Sequence, residues 1–258
     1  MYSSPKDKTL KERKSTQYAL PFTIETLVGV TMKLNMFGLA FCVIWSILFE
    51  FEKSTKTHCG VKNFAPSISS AIGTFLPQKH VYQVVVSVLM VPRYLCLLTY
   101  KKFYELRIPT GVARKISWMV EFTLSFHSLE LISLLGLTIV PSKEHFDVHK
   151  VFFCTFALSG LSYFILTCYL WKYCGICQET NEEKKSFDEK MFWLKLYFVL
   201  GIAMSILYYW HNKYCPDYVY SFFCICEYLI VYANIKFHGT AKYDLADVSI
   251  VLPSNKVV

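Results

Sequence analysis

The sequence predicts an all-α, polytopic membrane protein, a six-transmembrane-helix bundle with both termini cytosolic. Three observations predict it. Of the 258 residues, 54% are hydrophobic and 17% aromatic, while only 18% are charged; soluble domains carry about 25% charge and lack long uncharged runs. Six apolar runs then recur, over 28–49, 81–100, 117–140, 151–171, 191–210 and 218–235. Each is close to the roughly 20 residues that carry a helix across about 30 Å of hydrocarbon. They are too long for strands, and a membrane-spanning helix satisfies its own backbone. Finally, lysine and arginine are unevenly divided: eighteen fall on the side of the termini and seven on the other. By the positive-inside rule the termini are cytosolic. The formal net charge of +8 reads as that bias plus attraction to anionic lipid, and no nucleic-acid partner is expected.

In chain order, residues 1–27 are a basic cytosolic N-terminus. They contain no apolar core near Met1, so the first helix is expected to act as an uncleaved anchor. The membrane domain covers 28–238, and a cytosolic tail covers 239–258. Within the membrane domain, residues 50–80 form a lumenal loop too long to be a simple turn. Its stretch Thr57–Gly73, THCGVKNFAPSISSAIG, is rich in turn formers and is expected to be irregular but shaped, a binding or organising loop. Trp45, Trp118, Trp171, Trp193 and Trp210 fall toward the ends of the apolar runs, as interfacial aromatics do. No internal repeat is visible, which counts against a standard secondary transporter.

Topology gives the ten cysteines their reading. Cys42, Cys96, Cys154, Cys168, Cys224 and Cys226 lie within helices, where a small apolar filler suffices. Cys59 and Cys215 lie on the oxidising side and read as a disulfide that pins the loop over the last hairpin, with two free thiols as the alternative. Cys174 and Cys177 form a CxxC at the cytosolic end of the fourth helix. Without a second pair zinc is not supported, which leaves juxtamembrane palmitoylation or two plain thiols.

Charged groups deep in the helices carry the functional signal. Arg93, Glu130 and Glu227 all lie roughly 15–18 Å below the lumenal surface at 1.5 Å per helical residue. An isolated charge at that depth costs at least about 2.5–3.5 kcal/mol, so a buried network is expected, either an ion pair that fixes helix register or a functional cavity. His127 shares a helix face with Glu130 and can extend it. Above them a lumenal rim carries His58, His80, His145, His149 and His211. His145 and His149 have i, i+4 spacing, but there is no HExxH, and no metal is expected. A histidine there can instead serve a hydroxyl as general base. The inferred disulfide would carry His211 toward Ser67, Ser69 and Ser70. No GxSxG motif and no Gly-rich phosphate loop occurs.

The lumenal block THCGVKNFAPSISSAIG, Pro92-Arg93, Glu130 and the stretch up to His149 together resemble the post-GPI-attachment-to-proteins factor 2 family. So do His211-Asn212-Lys213-Tyr214-Cys215, Glu227-Tyr228, Asn234, Phe237-His238 and Thr240-Ala241. The resemblance spans roughly residues 30–242. It implies a multi-pass Golgi membrane protein, with the endoplasmic reticulum as a second compartment, needed when lyso-GPI anchors are reacylated with a saturated fatty acid. The expected role is acyltransferase or accessory factor to a partner acyltransferase, and the expected partners are GPI-anchored proteins and membrane lipids. The sequence identifies no cofactor and no acyl donor. Candidate catalytic residues are His211, Glu130 and Glu227; candidate substrate-binding residues are His58, Asn63, Ser67, Arg93 and Asn212. Two other classes fit less of this pattern: a non-enzymatic lipid regulator or scaffold of the autophagy-modulator type, and an ion-coupled transporter built on the buried charges.

Overall fold

The computed structural model describes residues 18–252 except 109, 179 and 247; the basic residues 1–17 and the tail beyond 252 lie outside the described residues. Six long helices form the bundle: α1 (Ile24–Phe49), α4 (Gln78–Arg107), α5 (Thr110–Ile139), α6 (Phe146–Tyr173), α7 (Asn181–Tyr214) and α8 (Val219–Gly239). All six are long and apolar enough to cross a membrane. Between α1 and α4 lie the short helices α2 (Phe51–Thr55) and α3 (Ile68–Gly73), and α9 (Ala241–Asp244) follows α8. A strand β1 (Tyr18–Thr23) pairs antiparallel with β2 (Ser249–Leu252), Tyr18 opposite Leu252, so the two ends of the described chain meet on one face. We refer to that face as the terminal face and to the opposite one as the loop face.

The helices run further than the apolar runs that locate them, because polar ends and caps continue a helix into water. Thr23 caps α1, its hydroxyl accepting the Thr26 N–H at 3.2 Å. Thr180 opens α7 ten residues ahead of the apolar run, accepting the Glu183 N–H at 3.1 Å and donating to the Glu183 carboxylate at 3.0 Å. A Thr-x-x-Glu cap of this kind satisfies amide groups that no helical turn can reach. Pro92 sits inside α4, where its missing N–H removes the helical bond to the Val88 carbonyl. The outward faces stay apolar and uncovered: Val84, Val88 and Val91 on α4, and Val199, Ile202 and Ile206 on α7. In a membrane those faces meet lipid tails.

The closest neighbours are α5 with α6 and α7 with α8, then α1 with α4. Three clusters fill the interior. One gathers Leu97, Tyr104, Leu170, Trp171 and Leu245 toward the terminal face, a second packs Phe164, Tyr197, Phe223 and Phe237, and a third sits beneath α3 around Cys42, Ile68, Tyr82 and Val86.

The long loop is more ordered than its turn-forming composition suggests, since α3 forms where Ser67 accepts the Ser70 N–H at 3.1 Å. Its shape comes from α8 and the tip before it. Cys59 and Cys215 are joined by a disulfide, Cα to Cα 5.4 Å. The Lys62 N–H donates to Asp217 Oδ1 at 3.0 Å and the Tyr218 N–H to the Lys62 carbonyl at 2.9 Å. Cys215 and Tyr218 adopt left-handed φ values of 48° and 65° to make that tip, a conformation non-glycine residues hold only when their surroundings demand it. Ser221 Oγ accepts the Phe64 and Ala65 N–H groups at 2.8 and 3.3 Å, and Tyr228 donates to the Pro66 carbonyl. Cys59→Ser and Cys215→Ser are expected to destabilise alike, with the double variant no worse than either single. Chain-entropy arguments put an upper bound of about 4–5 kcal/mol on so wide a closure, and membrane insertion lowers it. Non-reducing peptide mapping and paired thermal melts check both statements.

Candidate functional site

The loop helix α3 roofs a cavity inside the bundle. Ile68, Ser69 and Ile72 lie above it with His149; Leu134, Leu137, Phe153, Phe156 and Val231 wall it; Asn35, Arg93, Glu227 and Asn234 supply its polar groups. A second cavity shares Asn35 and Arg93 and continues past Thr31, Met32, Tyr100, His127 and His238 toward the terminal face.

At the roof, Ser69 Oγ and His149 Nε2 are 2.8 Å apart, and His149 Nδ1 is 2.6 Å from the Val140 carbonyl oxygen. His149 belongs to the first turn of α6 and is 6% exposed. Both of its nitrogens thereby have partners within the protein, Ser69 and the Val140 carbonyl. The neighbouring hydroxyls of Ser67 and Ser70 serve the fold. Ser70 donates to the Ser54 carbonyl at 2.9 Å, and Ser67 caps α3 next to the Tyr220 hydroxyl. Glu227 Oε2 accepts the Ile68 N–H at 2.8 Å, with the Ser69 N–H beside it, and so fixes the start of α3.

The three deep charges do not join in one network. Glu130 accepts from Asn234 Nδ2 at 2.5 Å, and His238 Nε2 lies 3.0 and 3.1 Å from its two oxygens. The His238 ring stacks on Tyr163 at 5.2 Å, and Tyr163 stacks on His127 at 4.5 Å. Glu227 holds the loop. Arg93, 7% exposed, lines both cavities, and its Nη1 has no partner among the described residues. The common depth read from the sequence therefore marks three separate jobs. Asn234 and His238 complete the Glu130 cluster from α8.

The remaining candidates divide similarly. Asn63 donates to the Thr55 and Val61 carbonyls at 3.2 and 3.3 Å and accepts from Ser221 at 3.3 Å, so its amide is spent on loop shape. His211 is fully buried against Tyr220 (4.9 Å) and His58 (5.5 Å), and neither ring nitrogen has a partner among the described residues. The histidine on Ser69 is His149, not His211. His58 and Asn212 are exposed on the loop face. Cys59, Cys215 and His58 bring potential metal-ligand atoms within 4.8 Å of one another, but the disulfide occupies both sulfurs. At the terminal face Cys177 is buried with Ile176 in the first cluster and Cys174 packs against it.

Sequence reasoning missed one buried ion pair. Lys190 Nζ is 2.6 Å from Asp244 Oδ2 and 2.6 Å from Ser186 Oγ, over the Trp171 ring at 4.0 Å. Tyr100 and Ser186 each donate to Asp244 at 2.5 Å. The cluster fastens α9 to α4, α6 and α7.

Fold and site together define a six-span membrane protein whose loop-face segment is folded over a polar-roofed, apolar-walled interior. The chain belongs to the family described as the Frag1/DRAM/Sfk1/Cwh43P N-terminal domain, which it matches over residues 26–248. It is 33% identical over 237 residues to the Xenopus tropicalis protein named acyltransferase PGAP2, covering 92% of each chain. It is 32% identical over 221 residues to the Caenorhabditis elegans post-GPI attachment to proteins factor 2, covering 84% of each, and 31% identical over 211 residues to the Danio rerio protein named acyltransferase PGAP2, covering 80% of this chain and 87% of that one. No solved structure matches the chain.

Proposed function

We propose that this protein reacylates lyso-GPI anchors in the Golgi membrane, with both termini cytosolic and the loop face in the lumen. The observation that carries this reading is a hydroxyl–imidazole pair, Ser69 with His149, set at the polar roof of an apolar cavity inside a membrane bundle. The roof offers polar partners to the ester to be made, and the apolar walls suit the first carbons of an acyl chain whose remainder lies among lipid tails. The relatives named as acyltransferases and as post-GPI attachment factors support the acceptor; the eighteen-to-seven division of basic residues supports the orientation.

In this reading His58 and Asn212 meet the anchor headgroup on the loop face, Asn63 and Ser67 shape the surface on which it rests, and the buried His211 packs beneath it. Arg93, Glu130 and Glu227 keep the interior in form. The test uses the purified full chain in liposomes with a lyso-GPI-anchored protein and an acyl donor. Diacyl product in the absence of any other protein establishes an acyltransferase. Product that requires a second membrane protein makes the chain an accessory factor. No product under either condition removes the reading, and tags on the termini protected from protease outside sealed Golgi vesicles remove the orientation.

A further inference from the structure

Proton placement in the Ser69–His149 pair is decided by its third member. The Val140 carbonyl oxygen can only accept, so the His149 nitrogen 2.6 Å from it, Nδ1, carries the ring proton. In a neutral imidazole the other nitrogen, Nε2, then presents a lone pair, and Ser69 Oγ at 2.8 Å is the donor of that hydrogen bond. The tautomer that makes histidine a base toward the serine is thus set by backbone. Of the three serines in the loop helix and its cap, Ser67 and Ser70 have hydroxyls committed to the fold, and only Ser69 bonds to a base. Glu227 secures the residue before it, through the Ile68 N–H, which limits how far Ser69 can drift from His149. The pair faces a cavity walled by leucine, phenylalanine and valine side chains, with Asn35, Arg93, Glu227 and Asn234 among its polar groups.

We propose that Ser69 is an acyl-carrying nucleophile, with His149 as its general base, and that acyl transfer runs as a double displacement through an ester on Ser69 Oγ. This rests on the acyl-transfer reading above and deepens it. In the first half, Ser69 Oγ bonds to the carbonyl carbon of an acyl ester or thioester while its proton passes to His149 Nε2. The donor's C–O or C–S bond breaks, and the departing alcohol or thiol takes that proton. In the second half, a hydroxyl of the lyso-lipid gives its proton to Nε2 and its oxygen bonds to the acyl carbon. Ser69 Oγ leaves and is reprotonated by His149. Nothing is oxidised, and no water is consumed. The donor is recognised by its long-chain acyl carbonyl, which an acyl-coenzyme A and a diacyl glycerophospholipid share.

The experiment separates those donors and separates this proposal from the reading beneath it. Purified full-length protein in liposomes is given a labelled long-chain acyl-coenzyme A in one arm and a phospholipid with a labelled acyl chain in the other, first without acceptor. Peptide mass spectrometry is expected to find the acyl mass on the peptide containing Ser69 in one arm, and a lyso-GPI acceptor added afterwards is expected to remove it. Ser69→Ala is expected to lose the adduct and to lower transfer about a thousandfold, while keeping the Cys59–Cys215 bond and the wild-type melting curve. Ser69→Cys is expected to carry the acyl group as a thioester that neutral hydroxylamine releases, a signature that no structural role of the position produces. An adduct on wild-type Ser69 that lyso-GPI does not remove upholds the nucleophile and rejects the acceptor. Transfer to lyso-GPI by folded Ser69→Ala within a few fold of wild type, with no adduct in either arm, overturns the proposal and leaves His149 acting on the acceptor directly.

Discussion

Replacing Asp244 by alanine is expected to lower the stability of the folded bundle by about 3–5 kcal/mol, because it leaves the Lys190 ammonium buried without its carboxylate. The Lys190 side chain is 1% exposed and that of Asp244 fully buried, so no water reaches either charge to compensate. Tyr100 and Ser186 lose their acceptor in the same step. Thermal unfolding in detergent should show a fall of roughly 10 °C, given the usual 2–4 °C per kcal/mol for chains of this size. Lys190→Met combined with Asp244→Leu is expected to recover most of the loss, since apolar replacement of a whole buried pair is often neutral. A single variant as stable as wild type would show that the pair contributes nothing to the fold.

The second large effect concerns Glu227. Its carboxylate accepts the Ile68 N–H at 2.8 Å and so places α3, and with it Ser69, over the cavity. Glu227→Ala is expected to reduce acyl transfer about a hundredfold, the size of loss that follows a displacement near 1 Å at a reacting group. Glu227→Gln keeps an oxygen that can accept the same N–H and is expected to retain most of the activity. If glutamine is as damaging as alanine while both proteins fold, the carboxylate takes part in the chemistry and the positioning role is wrong. Transfer assays on disulfide-intact, monodisperse protein decide between them.

The spans are legible in the sequence because hydrocarbon imposes a length, and twenty apolar residues stand out in any composition. The polar start of α7 is not, since residues 181–190 carry the charge of a solvated segment. Its only local signal is the Thr180-x-x-Glu183 cap. Lys190 counts, by position, as one more basic residue near the membrane; its partner lies 54 residues on, beyond α8. Depth along a helix could be read for Arg93, Glu130 and Glu227, but the direction in which each points could not, and direction decides their partners. For the same reason the rim histidines were legible as a set. Choosing His149 over His211 needed the path by which α3 crosses beneath the loop, and the two members of that pair are 80 residues apart.

The bonds that shape the loop also fix when the site can exist. Loop residues 59–68 are held by Cys215, Asp217, Ser221, Glu227 and Tyr228, between 155 and 162 residues downstream. A growing chain delivers the loop directly after its first long helix; three more must be made before the fifth brings Cys215 and Asp217 behind it, and the sixth then supplies Ser221, Glu227 and Tyr228. Through that interval the loop has a free Cys59 thiol and only its own short-range bonds, such as Ser70 to Ser54 and Asn63 to Thr55, so assembly of the site comes late in synthesis rather than early. An unpaired Cys59 is therefore a chemical mark of an unfinished molecule, and it persists until the turn after α7 brings Cys215 to it.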